Sequence, residues 1–306
     1  MYKIAYQKGI ALVIVLWMLA LLMVMAAGYS QTMRTETLIT ANLIHSAQAE
    51  ALAEAGIWHS LAEMLKPQPA QTWKTDGSIY TFNFNQGIIR ISIQDESGKI
   101  DLNTAGSELL YGLIRSVDVP ETERLALLQA ILDWRDRDNL VRTEGAEDAD
   151  YRRLNFDYSA KDGPFNTPDE LQLVMGMTPA IFKKMKPALT IYSHHPGIQP
   201  EVAPREALLA IPGIMPERVD EILQTRAANP DPQTPMQFMG LDTKYLSKAR
   251  GYVFTITSEG IINDTHARLD VVVMLQRLTT LDSPYSILSW RGDQVTDRQI
   301  PVLTAG

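Results

Sequence analysis

Nineteen consecutive residues, Ile10–Gly28, carry no charge, and no other stretch restricts the possible folds as much. Wound as a helix, such a run crosses a hydrocarbon layer of roughly 30 Å. The segment ahead of it, Met1–Gly9, is polar and carries Lys3 and Lys8, which favours keeping that end in the cytoplasm. No helix breaker follows the apolar run. Tyr29–Leu65 holds no proline and a single glycine, Gly56, among good helix formers. Span and continuation are therefore predicted as one rod from Ile10 to about Leu65, on the order of 84 Å long at 1.5 Å per residue. Leu38, Leu43, Ala51, Leu52, Trp58, Leu61 and Leu65 keep a helical spacing in its second half, which is a stripe for packing on a sheet. Pro67 and Pro69 end the rod.

Beyond it the period changes. Ser78–Phe84 and Gly87–Ile93 alternate and are rich in β-branched and aromatic residues, with Asn85-Gln86 between them as a hairpin turn. Ile100-Asp-Leu102 reads as a short third strand after the polar turn Asp95–Lys99. From Asn103 the pattern is helical: Ser107–Val117, Pro120–Arg135, Pro168–Met175, Pro179–Leu189, Pro204–Ala210, Pro216–Asn229 and Asp242–Tyr252. Proline recurs at or near their starts, where its missing N–H costs little. Leu189–Ser193 and Phe254–Ser258 close helical stretches as strands. Phe254–Glu259, Ala267–Leu275 and Tyr285–Trp290 read as strands separated by Gly260–Thr265 and Thr279–Pro284. Strands on both sides of a helical block predict one sheet interrupted by an inserted domain, an α+β fold.

One segment concentrates chemistry. Asp133–Asp150 holds seven carboxylates and three arginines, a local charge of −4. Asp133 and Asp136, three apart at a helix end, would face the same way. A calcium ion takes six to eight hard oxygens in a flexible cage, and a carboxylate-dense loop supplies them. The candidates are Asp136, Asp138, Glu144, Glu147, Asp148 and Asp150, with Asn166 beyond the loop. The spacing is not that of an EF-hand, since Leu140 and Val141 stand at its fifth and sixth positions. From the residues alone, a solvated charge run paired by its own arginines is the competing reading.

A short basic leader ending in glycine, then an apolar helix running on as an amphipathic one, resembles a type IV pilin or pseudopilin precursor. That resemblance implies cleavage between Gly9 and Ile10 by an inner-membrane prepilin peptidase, and methylation of the new terminus. At the fifth mature position, where the family usually has Glu, this chain has Ile14. The absence of that Glu is typical of the K family of minor pseudopilins in type II secretion. The Asp133–Asp136 and Asn166–Gly176 segments are further marks of the resemblance, which covers essentially the whole chain. The implied fold is type IV pilin-like, a long N-terminal helix packed on an antiparallel sheet, with a large inserted α-helical domain containing helix-hairpin-helix-like units. The parts would be a leader (residues 1–9), a transmembrane half-helix (10–29), its soluble half (30–66), a first part of the sheet (70–102), the insertion (103–252) and the last part of the sheet (253–306).

The resemblance further implies a structural subunit at the tip of a short pseudopilus, anchored once in the inner membrane with its bulk in the periplasm. A structural calcium in the acidic loop is also implied. Its partners would be the I and J minor pseudopilins, then H and the major pseudopilin, with the prepilin peptidase, the inner-membrane assembly platform, and the secretin or a secreted substrate.

Other chemistries find little support. With no cysteine there is no disulfide framework, thiol catalysis or cysteine-held zinc. A net charge of −8 disfavours phosphate-backbone binding. The Pro212-Gly213 turn is similar to a helix-hairpin-helix module, but Glu217, Asp220 and Glu221 follow it, so it reads as scaffold. Glu96-Ser-Gly-Lys99 is similar to the end of a phosphate-binding loop, but the upstream glycine is replaced by Ile93. The histidines are scattered and no Gly-x-Ser-x-Gly elbow occurs. No catalytic constellation is expected. The remaining rivals are a carboxylate-pair hydrolase, a secretory signal ending at Ala26-Ala-Gly28, a membrane-anchored calcium-binding or adhesion protein that does not polymerise, and a minor pilin of a type IV pilus.

Overall fold

The computed structural model describes residues 10–67, 73–229, 240–248, 251–276 and 283–293. The leader, with Gly9, lies outside them. One helix, α1 (Ile10–Met64), runs unbroken for 55 residues. Its first part is uncovered on all sides, and burial begins at Ala49.

The last turns of α1 pack on a five-stranded antiparallel sheet built from β1 (Asp76–Phe84), β2 (Gly87–Asp95), β5 (Val253–Ile262), β6 (Thr265–Leu275) and β7 (Tyr285–Asp293). The strand order is β1-β2-β5-β6-β7. Period-two alternation places Ile89, Ile91 and Ile93 of β2, Ile256 of β5, and Val271 and Val273 of β6 on one face. Ala49, Leu52, Ala53, Ile57 and Leu61 of α1 complete that core. The approach is close enough to require glycine. A Cβ on Gly260 would stand 2.0 Å from the Ala49 carbonyl oxygen, and one on Gly56 would stand 2.1 Å from Ser258 Oγ.

The hairpin at Asn85-Gln86 forms as the alternation predicts, with Asn85 in the left-handed region at φ 52°. Two strand expectations need correction. The segment Gly260–Thr265 is not a separator, because β5 continues to Ile262 and the chain reverses at Asn263, at φ 50°. Nor does the first part of the sheet reach residue 102. The strand β3 (Ile100–Asp101) pairs in parallel with β4 (Leu189–Thr190), away from the main sheet, and Ile100 and Leu102 bury in the core of the insertion.

The insertion has its own core, drawn from α2 (Ser107–Ser116), α3 (Glu121–Arg135), α4 (Asp148–Arg153), α5 (Pro179–Met185), α6 (Arg205–Leu209) and α7 (Pro216–Ala228). Leu109, Leu113, Ile131, Leu171, Met185 and Val219 are among its fully covered residues. The sequence did not reveal α4. The expected helix Pro168–Met175 is a 3-10 turn, Pro168–Leu173, closed by i to i+3 bonds such as Val174 N–H to the Leu171 carbonyl at 3.2 Å. Pro179–Leu189 divides into α5, a 3-10 turn Lys186–Ala188 and β4. Of Asp242–Tyr252, the described residues contain only the turn Thr243–Tyr245.

Polar contacts join the two bodies. Gln94 Nε2 donates to the Val202 carbonyl at 2.7 Å, Thr255 Oγ1 donates to Glu96 Oε1 at 2.7 Å, and Arg291 pairs with Asp169. The buried Arg226 of α7 donates to the Ala203 carbonyl at 2.6 Å, and Lys74 Nζ reaches the Arg226 carbonyl at 2.8 Å. Asp95 ends β2 at this junction; burial pushes its carboxyl up to about 6, against the hydrogen bonds from Ser97.

The Gly260 contact sets an expectation for stability. Gly260→Ala puts a methyl group into helix backbone rather than a flexible side chain, so α1 must lift. The expected cost is about 1–3 kcal/mol. It should register as a lower melting temperature of the detergent-solubilised full chain; melting at the wild-type temperature would contradict the packing described.

Candidate functional site

The acidic segment is built around a carboxylate that sequence reading treated only as a helix-end residue. Asp133, in the last turn of α3, is 0% exposed. Its Oδ2 accepts the backbone N–H of Ala146 at 2.9 Å and of Arg142 at 3.3 Å, and its Oδ1 accepts from the Arg142 guanidinium. The same guanidinium reaches Asp136 Oδ2 at 2.5 Å. Gly145 turns the chain against this seat, where a Cβ would lie 1.8 Å from Asp133 Oδ2. The loop from Asp136 to Glu147 is thus folded back on the end of α3 by one buried anion.

Folding back gathers further carboxylates. Glu147 is 3% exposed, and neither of its oxygens has a hydrogen-bond partner. Asp136 Oδ1, Asp148 Oδ1 and Asp162 Oδ1 are buried and unpaired as well. Burial, then the charges of Asp133, Asp162, Asp136 and Asp148, raise the Glu147 carboxyl to about 7. Asp162 is raised by burial and by Asp148, Asp136 and Asp138. Buried like charges with free oxygens cost energy until a cation or a proton joins them. The donor set is all hard oxygen, which suits calcium.

Of the candidates read from sequence, the fold brings Asp136, Glu147 and Asp148 together. Asp138 stands exposed at the rim, its Oδ1 accepting the Leu140 N–H at 3.0 Å. Asp150 works as a helix cap: its Oδ2 accepts the Glu147 N–H at 3.1 Å and its Oδ1 pairs with Arg153 at 2.9 Å. Glu144 and Asn166 are exposed, and their N–H groups bind Gln129 at 2.6 Å and Glu170 at 2.7 Å. Asp162 was missed; the one local signal is an acid in the Lys161-Asp-Gly163 turn, adopted at φ 52°. Among the described residues, no three acidic or histidine groups close into a ready metal-ligand constellation. The oxygens are gathered but the cage is open.

An aromatic wall stands beside them. Trp134 packs on Tyr151 at 5.8 Å, Tyr158 at 6.3 Å and Phe165 at 6.3 Å between ring centroids. The Gly213 turn between α6 and α7, at φ 80°, offers no basic surface: Arg205 pairs with Asp220 at 2.6 Å and Arg218 with Glu221 at 2.5 Å. The other prominent surface is α1 itself, long and apolar enough near its start to cross a membrane, with Ile10 and Ile14 both exposed.

A sequence model of the type II secretion system protein K family matches residues 82–194, which include the whole acidic cluster. Type II secretion system protein K of Klebsiella pneumoniae is 27% identical over 249 residues, spanning 72% of this chain and 76% of that relative. The protein of the same description from Aeromonas hydrophila is 27% identical over 208 residues, 59% of this chain and 62% of the relative. Over these stretches the chain is similar to the protein K family. It is a minor pseudopilin of the type II secretion system. Its fold agrees with that family: a chain in the crystal structure of the GspK-GspI-GspJ complex from enterotoxigenic Escherichia coli superposes with a TM-score of 0.55 at 19% identity. That match covers 86% of this pseudopilin and 100% of the solved chain.

The raised Glu147 sets a pH dependence of stability. Its folded pKa lies above the ordinary carboxylate value, so its stabilising contribution is complete below about pH 4.5 and is lost as pH rises through about 7. In chelator, Glu147→Gln should gain on the wild type in melting temperature between about pH 5 and about pH 8. A constant difference across that range would show that Glu147 does not carry the repulsion.

Proposed function

We propose that this protein is the tip subunit of a periplasmic pseudopilus, a structural rather than catalytic component. It is made with a leader cut between Gly9 and Ile10 and methylated on the new terminus. The start of α1 anchors it in the inner membrane, and the sheet and insertion stand in the periplasm. The observation that carries this reading is the state of α1: only its last turns are covered by the chain's own sheet. From Ile44 through Ala47 and Ala51 to Leu65, the side turned from the sheet offers small or apolar residues, while Trp58 leans onto Tyr285 and Trp290 of β7. That surface suits the equivalent helices of other minor pseudopilins, the I and J subunits. The association of GspK with GspI and GspJ in the solved complex supports this choice.

At the fifth mature position Ile14 is apolar and exposed, where a carboxylate would neutralise the amine of a subunit already in place. A chain lacking that carboxylate is suited to go first, with H and the major pseudopilin added beneath it by the assembly platform. The insertion would then crown the tip, towards the secretin or a secreted substrate.

The acidic cluster is proposed to hold a structural calcium. Asp136, Glu147, Asp148 and Asp162 supply the unpaired oxygens, with Asp138 at the rim. When bound, the ion cross-links the end of α3, the start of α4 and the Asp162 turn, and it removes the repulsion among their carboxylates.

Two measurements test the proposal. Intact mass of the membrane-extracted protein should correspond to a chain starting at Ile10 and N-methylated; a start at Met1 or Tyr29 overturns the prepilin route. Terbium added to calcium-free protein should show luminescence sensitised by Trp134, Tyr151 and Tyr158 and displaced by calcium. Absence of saturable binding overturns the calcium assignment.

A further inference from the structure

Glu147, 3% exposed and without a partner, marks the interior of the cluster. Around it stand Asp133, Asp136, Asp148 and Asp162. Three nearby cations are engaged elsewhere, Arg135 donating to the Leu102 carbonyl at 2.6 Å and the Ala105 carbonyl at 2.9 Å, Arg153 pairing with Asp150 at 2.9 Å and Lys161 with Glu170 at 2.7 Å, while Arg137 is exposed. Arg142 alone forms ion pairs with Asp133 and Asp136 among the described residues.

A guanidinium remains charged at all relevant pH and binds two carboxylates through its fork. Here a single terminal nitrogen, Nη1, reaches both Asp133 Oδ1 and Asp136 Oδ2. It leaves Asp136 Oδ1, both oxygens of Glu147, Asp148 Oδ1 and Asp162 Oδ1 for a second cation. The cluster is therefore divided into a half neutralised from within and a half whose buried oxygens have no hydrogen-bond partner.

We propose that Arg142 is a tethered counter-ion: it keeps the calcium-free site folded by neutralising Asp133 and Asp136, and lowers calcium affinity by standing as a positive charge beside the ion. This rests on the calcium assignment above. Arg142 is a positioning residue, not a ligand. A second consequence is order of events, since the insertion can fold before it meets the ion and then gains it without rebuilding the loop.

The experiment compares wild type, Arg142→Gln, Arg142→Lys and the pair Arg142→Gln with Glu147→Gln, all as full chains in detergent. Calcium affinity is read by competition against terbium luminescence, and stability by melting in chelator and in calcium. Arg142→Gln should bind calcium about tenfold more tightly, melt at a lower temperature in chelator, and recover in calcium. Arg142→Lys should stay within about threefold of wild-type affinity, because the charge is retained. In chelator, the double variant should regain the melting temperature that Arg142→Gln loses, because one carboxylate charge leaves with the guanidinium. Unchanged or weaker calcium binding in Arg142→Gln, or equal losses of stability with and without calcium, overturns the proposal. If Arg142→Gln does not fold, the Lys variant and the double variant decide. Wild type that binds neither ion overturns the calcium assignment itself, and the chelator melts of the single and double variants still judge Arg142 as a counter-ion.

Discussion

The structure depends on the contact between the last turns of α1 and one face of the five-stranded sheet. Ala49 and Ala53 on the helix meet Gly260 on β5, and Gly56 meets Ser258, so the two backbones nearly touch. Small residues set the distance; Leu52, Ile57 and Leu61 then interlock with Ile91, Ile256 and Val271. Burial of that apolar area stabilises the pilin-like body. It also sets the direction in which the uncovered part of α1 leaves the body. The segment long and apolar enough to cross a membrane lies at the far end of that single lever.

The insertion follows different physics. It lacks disulfides, and around its acidic end it organises long loops with charge rather than apolar burial. Asp133 shows how far this goes. A carboxylate with no exposure is tolerable because two backbone N–H groups and a guanidinium meet it, and the loop around Gly145 is shaped to bring them there. Glu147, across the loop from Asp133, has none of these and is left at about 7. Two buried acids at the two ends of one loop are thus treated in opposite ways, one satisfied by the chain and one not.

Much of this was legible in the sequence where a long pattern repeats. The rod was evident because nineteen uncharged residues run into a segment with no proline. The strands β1, β2 and β6 announced themselves by alternation, and the interrupted sheet by their positions around a helical block. What escaped were short elements and distant partners. A two-residue strand such as β3 carries no register information, so its pairing with β4 instead of β1 or β2 could not be read. The six residues of α4 were hidden because their acids read as ligands. In the structure Asp148 and Asp150 occupy its first turn, and Arg152 and Arg153 its last, the polarity that suits a helix dipole. Asp162 was invisible for want of proximity: only the fold brings it to Glu147.

The sheet order has a consequence for how the chain comes together. The strands β2 and β5 are direct neighbours, with Asp95 opposite Phe254, yet residues 96–252 lie between them. Pairing those strands from an open chain means closing a very long loop, which is slow because the entropy is lost before contacts repay it. An insertion that folds first shortens that loop to the distance between its own two ends, which its contacts with Gln94 and Thr255 hold at the sheet. The helical body then serves as the turn of an outsized hairpin, and the pilin-like sheet is completed from the inside outward.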